Sequence, residues 1–157
     1  MSVVIFGSIN MDLVVRTPRL PAGGETLIGH TFFTAPGGKG ANQAVACARL
    51  GAQARMIGRV GDDVFGETLR GSLRDYGVDV AGVSTSAGPS GVAVIAVDDA
   101  AENTIIIVAG ANGMIGDADL ALLDQARKNG ACDQPDRAGA KRARNQNIPA
   151  CRVRDLA

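Results

Sequence analysis

Pro36-Gly37-Gly38-Lys39-Gly40-Ala41-Asn42-Gln43-Ala44 brings glycines, a lysine and an asparagine to the point where a helical pattern begins. Glycines let a ligand come close to the backbone, and the first N–H groups of a helix have no intrahelical partners and point outward. Residues 41–50 continue as a helix, with Ala41, Ala44, Val45 and Ala48 on one stripe and Gly51 as its stop. The stretch therefore reads as a pocket for a small polar molecule at a helix start. It is not a nucleotide P-loop, because Lys39 is followed by Gly40 rather than Ser or Thr and the first glycine of that pattern is missing.

Working outward, residues 3–9 form a short, continuous, β-branched run, the mark of a buried parallel strand, and Asn10 and Asp12 follow at its carboxyl end. No Gly-x-Gly-x-x-Gly dinucleotide turn follows it. Residues 55–60 give a second strand. Asp62 or Asp63 caps a helix with the stripe Phe65, Leu69, Leu73 and Tyr76, ended by Gly77. Asp117 caps another through Leu120, Leu123 and Ala126, with Lys128 in its last turn. This alternation predicts an α/β fold, a parallel sheet with helices on its faces. Residues 91–97 and 104–108 break the rhythm as an antiparallel hairpin across the polar connection 98–103, and 13–16 with 27–33 predict a second ribbon. Together they predict a small lid of the kind that covers a ligand and excludes water.

Composition bounds the function. The chain has 157 residues, enough for one domain with its own core. Lys+Arg and Asp+Glu are equal at 16 each, and aromatic residues make up 3% with no Trp, so neither a polyanion nor a base-stacking partner is expected: no nucleic acid. No apolar run is long enough for a bilayer, and residues 1–6 do not read as a signal peptide, so no membrane partner is expected. Cys47, Cys132 and Cys151 are widely spaced and lack nearby histidines, which predicts no metal site and a reducing cytoplasm. His30 is read as an ordinary polar residue, Asp62 and Asp63 as cap and turn groups, and Cys47 as a small core residue.

Composition also shifts near residue 130. Residues 131–157 hold only Ile148, Val153 and Leu156 as large aliphatics, against six Lys/Arg and three Asp/Glu. A continuing α/β domain would supply a buried strand here, and none is predicted. The expected organisation is a domain over 1–130, including a lid at about 13–34 and 91–108, and an unrelated basic, disordered tail over 131–157. A shifted reading frame would explain the change, and translating the neighbouring frames of the gene would check it.

Gly7-Ser8-Ile9-Asn10-Met11-Asp12, Gly37-Gly38-Lys39-Gly40-Ala41-Asn42-Gln43-Ala44 with Gly51 and Gly61, Gly61-Asp62-Asp63, Gly91-Val92-Ala93 and Ala109-Gly110-Ala111-Asn112 together resemble the ribokinase-like sugar kinases of the phosphofructokinase-B group. The match runs from Val3 to about Lys128, the N-terminal half of that family's domain. The resemblance implies a truncated three-layer parallel-sheet fold with a small antiparallel β lid, and a sugar site made of Asn10, Asp12, Gly38, Lys39, Gly40, Ala41, Asn42 and Ile95. A carboxylate accepts from sugar hydroxyls and an amide both donates and accepts, so the residue types suit a neutral polyol. Lys39 with the Gly-Ala-Asn-Gln that follows implies ribose as the ligand.

The intact family transfers the γ-phosphoryl of ATP to the 5-hydroxyl of ribose with Mg2+ and a monovalent cation such as K+. Its base is the aspartate of a Gly-Ala-Gly-Asp segment, and no such segment occurs in this sequence. Also absent are the Asn-x-x-Glu motif linked to magnesium and the sugar-binding glutamate of the next strand. Without base, metal support or nucleotide pocket the chain is expected to bind sugar without transferring phosphoryl, and no catalytic or cofactor-binding residue is assigned. The alternatives are a non-catalytic sugar-binding or dimerising module, with a homodimer through the lid, a kinase for another sugar of the family, and a binding domain whose basic tail engages an acidic partner.

Overall fold

The computed structural model describes residues 2–128 and 132–135. The chain runs β1 (Ser2–Phe6), β2 (Asn10–Arg16), β3 (Thr31–Gly37), α1 (Lys39–Arg49), β4 (Gln53–Gly61), α2 (Val64–Asp75), β5 (Asp79–Ser86), β6 (Gly91–Val97), β7 (Asn103–Val108), a 3-10 turn (Gly110–Met114), α3 (Asp117–Lys128) and β8 (Cys132–Pro135). Two four-stranded sheets result, β5-β4-β1-β8 and β3-β2-β6-β7.

The first sheet is wholly parallel, and β1 shows why its sequence is continuously apolar. Val3 and Ile5 pack with Ala41 and Ala44 of α1 and Leu69 and Leu73 of α2. Val4 and Phe6, pointing the other way, pack with Ile115 and with Leu120, Leu123 and Ala126 of α3. Successive strand residues face opposite sides, so helices on both faces require an apolar residue at every position. This is the three-layer architecture expected.

Asn10 and Asp12 correct one expectation. The first strand ends at Phe6 rather than Ile9, and after residues 7–9 the chain enters the second sheet, so both residues lie on β2. Ile9 is fully buried in the core beneath this switch. The second strand of the ribbon expected over 13–16 and 27–33 begins at Thr31 and runs on through Pro36, which pairs with Met11. β3 is an edge strand, so the missing N–H of proline removes no bond from the sheet interior.

The lid is the two predicted hairpins joined side by side, β2 with β3 and β6 with β7, each antiparallel. The seam between them, β2 with β6, is parallel. The predicted strand, helix and hairpin order omits β5, which is present and pairs with β4. It also expects no strand after residue 130, whereas Cys132–Pro135 pairs in parallel with β1. A parallel ladder is made of backbone groups, and the polar composition that argued against a strand there does not prevent four residues from joining it. The rest of the basic segment, 136–157, lies outside the described residues. No helix among the described residues is long and apolar enough to cross a membrane.

Candidate functional site

A cleft of about 560 Å³ opens between the start of α1 and the lid, lined by Ser8, Asn10, Asp12, Gly38, Lys39, Asn42, Ile95, Ile105 and Asn112 among others. Six of the eight predicted sugar-site residues therefore meet in one place. Asn10 and Asp12 project from the same side of β2, two residues apart in an extended strand. Lys39 and Asn42 come from the first turn of α1. Ile95 pairs with Ile105 across β6 and β7, and the two form the apolar roof.

The glycines make the approach possible. Gly38 has φ +96° at the N-cap of α1, and a Cβ there would lie 2.7 Å from the Ser8 carbonyl oxygen and 2.8 Å from the Asn10 nitrogen. An L side chain is excluded on both conformation and space. At Gly37 a Cβ would lie 2.3 Å from Asp12 Oδ2, so this residue leaves room for the carboxylate. Gly40 and Ala41 stand apart from the cleft wall. Gly40 lets α1 approach Gly7 and the Met56 methyl. Ala41 is buried against the core, and its N–H donates to the Ser8 carbonyl at 3.1 Å.

Electrostatics distinguish Asp12 from an ordinary surface carboxylate. Burial pushes its carboxyl above the usual carboxylate range, and the positive charge of Lys39 opposes that rise. Asn10 is 8% exposed and accepts a hydrogen bond at Oδ1 from Asn112 Nδ2 at 2.7 Å. Asn112 appears in the sequence only as the end of Ala109-Gly110-Ala111-Asn112, and its part in the site was not foreseen. No local pattern could signal a partnership across 102 residues.

Ile9, Pro36, Val45, Arg49, Leu73 and Tyr76 line a smaller space behind α1, with the Arg49 guanidinium 4.7 Å from the centre of the Tyr76 ring. His30 stands outside the cleft, 3.4 Å from Asp99. Asp63 caps α2 through the Gly66 N–H, as expected.

The cleft does not fit a divalent metal. Its one carboxylate among the described residues, Asp12, sits within the field of Lys39, whereas magnesium takes oxygen ligands in an octahedral set. No group of three or more His, Cys, Asp or Glu side chains among the described residues could hold a metal ion. No step through metal or nucleotide is assigned to these residues.

The model of the pfkB family carbohydrate kinases matches residues 1–133. The chain belongs to this family. It is 45% identical over 131 residues to the ribokinase of Schizosaccharomyces pombe, covering 79% of this chain and 41% of that protein. It is 44% identical over 129 residues to the ribokinase of Bacillus subtilis, covering 81% and 44%. The structure of Arabidopsis thaliana ribokinase complexed with ribose and ATP superposes with a TM-score of 0.72 at 33% identity, over 95% of this chain and 52% of that one. The chain thus spans well under half the length of these curated relatives and about half of the solved structure. The fold of this pfkB-family chain is that of the ribokinase-type kinases, and the matched part includes the whole lid and every residue of the cleft described above.

Proposed function

We propose that this chain forms the sugar-binding half of a ribokinase-type site and that its ligand is ribose. The observation that carries the reading is the meeting of Asn10, Asp12, Lys39 and Asn42 in one cleft beneath Ile95. One carboxylate supplies acceptors, two amides and an ammonium supply donors, and an apolar roof covers the carbon face of a ring. Gly38 supports the reading by bringing backbone against the same space, and the similarity to ribokinases supports ribose as the sugar. Gly40 and Ala41 belong to this site as residues that seat α1 rather than as groups meeting the sugar.

The whole protein's activity in the family is phosphoryl transfer from ATP to the ribose 5-hydroxyl, aided by Mg2+ and a monovalent cation such as K+. This sequence holds no Gly-Ala-Gly-Asp segment to supply the base. Taken alone, the chain binds ribose without phosphorylating it, and it does so in a reducing cytoplasm. Titration calorimetry of the full chain with ribose, 2-deoxyribose and fructose, run beside an ATP turnover assay, tests both parts. Saturable binding with ribose the tightest and no turnover is the expected result. Absence of ribose binding overturns the sugar reading, and ATP-dependent phosphorylation by the pure chain overturns the separation of binding from transfer.

A further inference from the structure

We propose that Asn112 is a positioning residue that fixes which way round the Asn10 amide faces the cleft, so that Asn10 meets the ligand as a hydrogen-bond donor. The inference rests on the sugar-site reading given above. Asn112 stands in the 3-10 turn just after the lid, and its side chain is held by one backbone residue at both ends. Its Oδ1 accepts from the Ile9 N–H at 2.9 Å, and its Nδ2 donates to the Ile9 carbonyl at 3.0 Å. A backbone N–H only donates and a carbonyl only accepts, so the Asn112 amide has one permitted orientation.

That orientation passes to Asn10. The same Asn112 Nδ2 donates to Asn10 Oδ1 at 2.7 Å. Turning the Asn10 amide round would set two NH2 groups against each other. The Asn10 oxygen is thus committed to Asn112, and its Nδ2 hydrogens are what it brings to the cleft it lines. Space reinforces the junction: a Cβ on Gly91, the first residue of β6, would lie 2.1 Å from Asn112 Nδ2 and 2.5 Å from Asn10 Oδ1.

The consequence is a fixed polarity along β2. Asn10 offers a donor and Asp12, two residues on, offers only acceptors while ionised. A polyol satisfies both when one hydroxyl accepts from Asn10 and another donates to Asp12. A ligand lacking either hydroxyl leaves a partly buried group unpaired, which is how such a site discriminates.

The test is side-chain amide NMR on the full chain labelled with 15N-asparagine. In the wild type the Asn112 NH2 pair should exchange slowly with water. The Asn10 pair should exchange faster and shift on saturation with ribose. In Asn112→Asp the carboxylate cannot donate, so the Asn10 amide turns: its NH2 becomes protected and stops responding to ribose, and affinity falls about tenfold or more. If the wild-type Asn10 NH2 is as protected as that of Asn112, or responds to ribose identically in N112D, the proposal is wrong. The wild-type exchange pattern decides the matter even where N112D does not fold. The expected pattern in a wild-type chain that binds no ribose upholds the control of Asn10 by Asn112 and overturns the sugar reading instead.

Discussion

Asp12 sets ligand binding against stability at a single residue. Burial raises its carboxyl pKa above the ordinary value of 3.8, in spite of Lys39. An acid whose pKa is higher folded than unfolded stabilises the fold below its unfolded pKa, and that contribution is lost as pH rises through the folded value. At neutral pH the ionised Asp12 therefore works against folding, and a sugar bound in the proposed site would compensate by hydrogen-bonding it. Asp12→Asn should raise the urea midpoint at pH 7 relative to the wild type, and the difference should vanish below pH 3.8, where both side chains are neutral. The same substitution should weaken ribose binding by about tenfold or more, since hydrogen bonds to charged groups contribute about 1.5–3 kcal/mol. A variant that is less stable at pH 7 would show that Asp12 has a favourable partner in the free chain.

Among the elements, α2 and the lid share one anchor. Asp63 Oδ1 accepts from the Gly66 N–H at 2.9 Å and from the Ser90 hydroxyl at 2.6 Å, and Oδ2 accepts from the Ser90 N–H at 2.9 Å. Ser90 is fully buried immediately before β6, so one carboxylate both caps a helix and roots the lid. Burial alone would raise the Asp63 carboxyl, but these hydrogen bonds outweigh it and hold the group below the usual range. Its stabilisation is present above the unfolded value of 3.8 and is lost as pH falls through the depressed one. Asp63→Ala should cost about 2–4 kcal/mol in denaturant unfolding at pH 7, from the lost cap and the stranded Ser90, and less as pH falls below 3.8. A second anchor holds α3 to β4: the buried Asp119 accepts from Arg59 Nε at 2.9 Å and from the Gly116 N–H at 2.8 Å. Arg59→Met should cost about 3–5 kcal/mol by the same measurement, because it leaves a buried charge without its partner. The three helices were legible in the sequence because Ala41 with Ala44, Leu69 with Leu73, and Leu120 with Leu123 recur at helical spacing on the faces that are buried. β5 was not, because Asp79–Ser86 is an edge strand of mostly small and polar residues with few apolar positions to set a period. Asn10 and Asp12 were legible by residue type and by their place after the first apolar run. The hold of Asn112 on Asn10 arises only when the lid closes the chain back on itself.

For the molecule as a whole, the lid leaves an open strand among the described residues. β7, Asn103–Val108, is the outer strand of its sheet, and Ile105, Ile106, Ile107 and Val108 are all at least half exposed. It contains no charge and no proline, the devices by which edge strands ordinarily avoid pairing with other chains. Ile105 and Ile107 face the cleft, where the proposed sugar would cover part of them, while Ile106 alternates to the opposite side, where Val94 is its partner on β6. An apolar edge whose backbone groups pair with no further strand among the described residues would favour a second copy pairing along β7, the homodimer through the lid set out above as an alternative. Sedimentation velocity over a range of concentrations should show reversible association of the full chain. Ile106→Lys should shift it to monomer by placing a charge on the edge. Because Ile106 points away from the cleft, the variant should keep wild-type ribose affinity, which separates loss of pairing from loss of fold. A wild-type chain that stays monomeric at every concentration, or an I106K variant that associates as strongly as the wild type, would place the contact elsewhere than β7.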